Sequence, residues 1–111
     1  MVELSGKIYV VAPGSLVTIS PGTPHMWTAC PAGIRLPDGE VSQGNFLMVY
    51  EYEDETGFFP TLQTEAYRSV DEYVPYTGSL DAIKFPRMTK EDVVRDTLMV
   101  WNRDLVQVAL A

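Results

Sequence analysis

Hydrophobic positions fall along this chain in short runs separated by proline and glycine, a pattern of strands and tight turns. Residues 7–11 (KIYVV) and 16–19 (LVTI) are rich in β-branched side chains and are bounded by Pro13-Gly14 and Pro21-Gly22. Residues 26–30, directly after His25, are strand-like again. The stretch 31–45 reads as a long connection, with Pro31, Gly33, Pro37-Asp38-Gly39 and Gly44. In its centre, Pro37 presets φ and Gly39 accepts a positive φ, which predicts a turn between two arms. Residues 46–53 (FLMVYEYE) carry the strongest strand signal. Their apolar first half predicts a central strand with an acidic end in solvent, and it favours Phe46, Met48 and Tyr50 inward without fixing which face lines a pocket.

From residue 56 onward, Pro60, Pro75, Gly78 and Pro86 interrupt any long element. The best helix begins at Thr89, an N-cap with Asp92 three residues on and acidic residues at the positive end of the dipole. Val94, Leu98, Trp101, Leu105 and Val108 then form an apolar stripe, opposite Arg95, Asp96, Asn102 and Arg103. The expectation is one domain over 1–111: β-rich over 6–64, irregular over 65–88, and helical over about 89–108. The fold class is all-β with one C-terminal helix.

A chain of 111 residues builds one core, and 46% hydrophobic with 21% charged residues is globular composition. No run of apolar residues is long enough to span a membrane. The opening Met-Val-Glu-Leu-Ser-Gly lacks the basic and apolar regions of a secretory signal, so a cytoplasmic protein is expected. The chain is acidic: a net charge of −7, with its bases scattered, argues against a nucleic-acid partner. Solubility accounts for that charge. Cys30 is the only cysteine, which excludes an internal disulfide and a cysteine-rich zinc site.

One stretch is more specific: Gly14-Ser-Leu-Val-Thr-Ile-Ser20-Pro21-Gly22-Thr-Pro-His25-Met-Trp27. It resembles the second conserved motif of the cupin superfamily, with Gly14, Gly22 and His25 at the motif's spacing. Ser20 stands where the motif has its first proline, and Ala29 where it has asparagine. Residues 6–11 likewise resemble the strand that ends the first cupin motif, with Gly6 as its final glycine. The resemblance implies an antiparallel jelly-roll barrel with the histidine's face inside. Strand alternation puts His25, Trp27 and Ala29 on one face and Met26, Thr28 and Cys30 on the other. Metal-binding cupins take two histidines and a glutamate from the first motif. Only five residues precede Gly6 and none is histidine, although Glu3 stands near the glutamate position. The reading is therefore an N-terminally shortened barrel, completed by dimerisation, with no cofactor expected. A divalent metal at His25 is the lesser expectation.

His25 is the candidate acid–base residue, because histidine titrates near neutrality. Glu51 would pair with it, or Tyr50 would polarise a carbonyl as a phenol donor. Tyr9, Trp27 and Met48 are the candidate pocket lining. The plainer readings are a hydrogen-bonded structural histidine and aromatic core residues. Cys30 reads as a small buried hydrophobe, and Glu51, Glu53, Asp54 and Glu55 as a solvated strand end. Whether the chain is an enzyme stays open. The leading expectation is a small-molecule-binding cupin-like protein, a metal-independent isomerase, cyclase or lyase using His25. The alternatives are a non-catalytic ligand-binding or assembly module with a vestigial pocket, or a shortened metallocupin of oxygenase type. The expected partners are a small organic ligand and a second copy of the chain.

Overall fold

The computed structural model of the chain describes residues 1–54, 57 and 59–101. Strand β1, Val2–Leu4, returns as β2, Lys7–Val11, through a turn of only Ser5 and Gly6. Both turn residues have positive φ, 49° and 83°. That mirror-image turn matches the right-handed twist of the strands it joins, and glycine takes its second position without steric cost. The ladder pairs Val2 with Tyr9 and Leu4 with Lys7. Strand β3, His25–Trp27, lies antiparallel on the other side of β1, with Leu4 opposite His25 and Val2 opposite Trp27. Strand β4, Leu98–Val100, runs parallel to β2 and sets Leu98 beside Tyr9. The result is an open, mixed four-stranded sheet in the order β3-β1-β2-β4.

Residues opposite one another in a ladder share a face. Met1 and Val10 therefore lie on one side of the sheet, and Val2, Leu4 and Val100 on the other. On the first side Met1, Val10, Ile34 and Val93 form a buried cluster, with Ile8, Cys30, Leu36, Phe85, Met88 and Met99 packed against it. Cys30 is thus a packing residue on the face opposite His25, as alternation predicts. Helix α1, Lys90–Asp96, delivers Val93, whose exposure is 0%. Burying a side chain of that size contributes about 1.5–2 kcal/mol. Ile34 arrives on a hairpin in which Arg35 bridges Val41 and Leu36 N donates to Glu40 O at 2.8 Å. Pro37-Asp38-Gly39 forms its tip, closed by Gly39 N donating to Leu36 O at 2.9 Å. On the other side Val2, Leu4 and Val100 are buried.

All-β with one helix describes this architecture, but several expected elements change. The helix over 89–108 ends at Asp96, and Thr97 is already extended at φ −117°, ψ 159°. The β-branched Thr97 leads into Leu-Met-Val, and pairing with β2 wins over continued helix because it buries Val100. Val93 is the buried helix residue, while Val94, at the head of the expected stripe, is exposed. Residues 102–108 of that expected helix lie outside the described residues. Residues 46–53 are not a strand: Leu47 and Val49 are 94% and 91% exposed, and no described ladder includes them. Strand propensity alone does not hold a strand without a partner. Residues 16–19 are also outside the sheet, although the Pro-Gly turns on both sides of them form. The β-rich region is therefore not 6–64. Its sheet begins at Val2, ahead of Gly6, and takes its fourth strand from 98–100.

Candidate functional site

The Pro21-Gly22 turn closes with Thr23 N donating to Ser20 O at 3.3 Å, and the chain then enters β3 at His25. Within this entry His25 Nδ1 lies 2.9 Å from the Thr23 carbonyl. A carbonyl only accepts, so Nδ1 is the donor in this bond. The ring is exposed at the edge of the open sheet and does not face an enclosed hollow. This corrects the expectation of an inward-pointing imidazole: the sheet does not curl around β3, its outermost strand. Trp27 and Tyr9 do share His25's face, since both stand opposite Val2 in their ladders, and both are half-buried.

The other expected site residues are elsewhere. Met48 is half-buried, Glu51 is exposed, and Tyr50 stacks edge-on against Tyr52 at 5.7 Å and 68°. Among the described residues no hydrogen bond or ion pair joins Tyr50 or Glu51 to His25. The proposed acid–base set is not assembled, because the segment that carries Tyr50 and Glu51 does not join the sheet. Nor do the residues fit the divalent metal the resemblance implies. Among the described residues, no three His, Cys, Asp or Glu side chains come together as a ligand set.

A cleft of about 560 Å³ opens at the end of the sheet where the parallel strands β2 and β4 begin. Ile8 and Met88, from the side of the sheet that packs on α1, and Leu98, from the opposite side at the sheet's end, are its apolar lining, and Lys7, Arg87, Asp92 and Asp96 add charge. The two carboxylates are already engaged. Asp92 Oδ2 accepts from Thr89 N at 3.0 Å, and its Oδ1 accepts from Arg95 Nη2 at 2.7 Å. Asp96 accepts from Arg95 Nε at 2.9 Å and from Nη2 at 2.8 Å. The Thr89 backbone N–H, then the Thr89 side chain and the Arg95 guanidinium, hold the Asp92 carboxyl below the usual carboxylate range. The Arg95 hydrogen bonds do the same for Asp96. The side chains of Lys7 and Arg87 have no hydrogen-bond or ion-pair partner among the described residues.

A second cleft, of about 310 Å³, is lined by Gln63, Thr64, Glu65, Tyr67 and Glu72. Its polar groups largely satisfy one another: Tyr67 donates to Gln63 Oε1 at 2.7 Å, and Gln63 Nε2 donates to Glu72 O at 3.0 Å. The larger cleft therefore offers the uncommitted donors. Sequence reasoning missed its residues, because Lys7 and Leu98 meet only through the parallel pairing of β2 and β4. The capped start of α1, which supplies Asp92, was the one legible part. Comparison with protein-family models, with curated proteins and with solved structures finds no match, so the cupin resemblance rests on the residues quoted above.

Proposed function

We propose that this chain is a cupin-like, non-catalytic binding module for a small organic molecule, held in the cleft between the starts of β2 and β4 and helix α1. The observation that carries this reading is the cleft itself, lined by apolar and charged residues together. Its volume of about 560 Å³ falls within the roughly 300–1,000 Å³ typical of small-molecule sites. The test is a fragment screen read by amide chemical shifts. Hits are expected to perturb Lys7, Ile8, Met88 and Leu98, and Leu98→Asp is expected to abolish them. Hits confined to other surfaces, or none at all, would overturn the reading.

A second reading, proton transfer in an isomerase, cyclase or lyase, is favoured by the His25–Thr23 bond, which occupies Nδ1 and leaves Nε2 outside it. In the same screen it requires fragments that cluster at His25, Trp27 and Tyr9. We further propose a second copy of the chain as partner. The single-sided pairing of β3 and β4 and the exposure of Leu47 and Val49 support it.

A further inference from the structure

We propose that the cleft selects a small molecule with an apolar body and a single carboxylate. This rests on the binding-module reading above and names the ligand class it would take. The apolar lining sets the first half of that description. Leu98 is 60% exposed at the start of β4, and it shares the cleft with the half-buried Ile8 and Met88. An alkyl or aryl body that enters the cleft and covers part of this apolar lining removes that surface from water.

The charged lining sets the second half. It carries two cations and two carboxylates, so a simple count of charges would leave it neutral. Hydrogen bonding breaks that tie. All four carboxylate oxygens of Asp92 and Asp96 accept from Thr89 or Arg95. The Lys7 ammonium and the Arg87 guanidinium, in contrast, make no hydrogen bond or ion pair among the described residues, and both residues line the cleft. Arg95 also offsets part of the negative charge of Asp92 and Asp96. An entering anion therefore meets free donors, whereas an entering ammonium would have to displace Arg95 from bonds already made.

The same charged lining argues for one negative charge and not two. A phosphate monoester would bring a dianion close to Asp92 and Asp96 on a chain of net charge −7. A monocarboxylate satisfies Lys7 and Arg87 with the least repulsion, and its planar fork suits the guanidinium of Arg87. Because both cations are exposed to solvent, affinity is expected in the millimolar range, with the charge supplying selectivity more than strength.

The experiment titrates the full chain with hexanoate, hexylammonium, 1-hexanol and hexyl phosphate, following the amides of Lys7, Ile8, Met88 and Leu98. Hexanoate is expected to bind tightest, and raised salt to weaken it. The pair of changes Lys7→Gln and Arg87→Gln is expected to weaken hexanoate about fivefold and leave 1-hexanol unaffected. Both residues are exposed, so the thermal midpoint of the double variant reports whether the fold is intact. If 1-hexanol, hexyl phosphate or hexylammonium equals or exceeds hexanoate at these amides, the carboxylate class is wrong while the cleft remains a site. If no probe moves these amides, the binding-module reading fails with it.

Discussion

Gly22 shows how much a single position can carry. Its φ is +79°, and a Cβ added there would lie 2.8 Å from the Tyr67 carbonyl oxygen. The approach is close because Tyr67 N donates to Gly22 O at 2.7 Å, which ties the turn before His25 to residues more than forty positions away. Gly14 has nearly the same φ, +77°, but nothing within 4 Å of an added Cβ. The two glycines therefore separate backbone strain from steric conflict. Gly14→Ala is expected to cost about 1 kcal/mol and Gly22→Ala about 2–3 kcal/mol, as read from urea denaturation. Equal costs would mean that the contact with Tyr67 is not formed.

At the scale of elements, α1 depends on the pairing of Thr89 with Asp92. Thr89 N donates to Asp92 Oδ2 at 3.0 Å and Asp92 N donates to Thr89 Oγ1 at 3.1 Å, a reciprocal capping box. The Asp92 carboxyl titrates lower in the folded chain than in the unfolded one. Its contribution is therefore complete above the ordinary carboxylate pKa and is lost as pH falls through the lowered folded value. Asp92→Asn is expected to lower the urea midpoint at neutral pH, and the gap to the parent chain should close in acid. A gap that persists unchanged to low pH would remove the carboxylate from the explanation.

Elements set by near neighbours could be read in the sequence. They include this cap, the Pro-Gly turns, the Pro37-Asp38-Gly39 hairpin tip, and the alternation that separates His25 and Trp27 from Cys30. Elements decided by distant partners could not. The Leu98-Met99-Val100 run continues a helical stripe on paper and becomes a strand only because β2 is available beside it. Residues 46–53 have strand composition but no ladder. The candidate site divides the same way: Asp92 was marked by its cap, whereas Lys7 and Leu98 were brought together by a pairing that no local pattern encodes.

Over the whole molecule, the described buried hydrophobics come from two regions, Met1 to Ile34 and Val93 to Val100. The chain between them contributes partly buried contacts and much exposed apolar surface, including Phe46, Leu47, Val49 and Tyr50. If a second copy covers that surface, sedimentation velocity should show a concentration-dependent shift toward twice the monomer mass. Leu47→Glu combined with Val49→Glu should return the monomer without changing the circular dichroism. A monomer at every concentration would refute the dimer.

The parallel pairing of β2 with β4 also bears on how the protein is made. While a ribosome is still synthesising the middle of the chain, β2 has β1 on one flank and no strand on the other. Its second neighbour emerges only with Leu98, about ninety residues after β2 begins. Closing so distant a contact is slow, and until it closes the nascent chain presents an unpaired β edge together with its apolar middle. Occupancy by a chaperone such as a ribosome-associated holdase should therefore persist until residues 98–100 have left the exit tunnel.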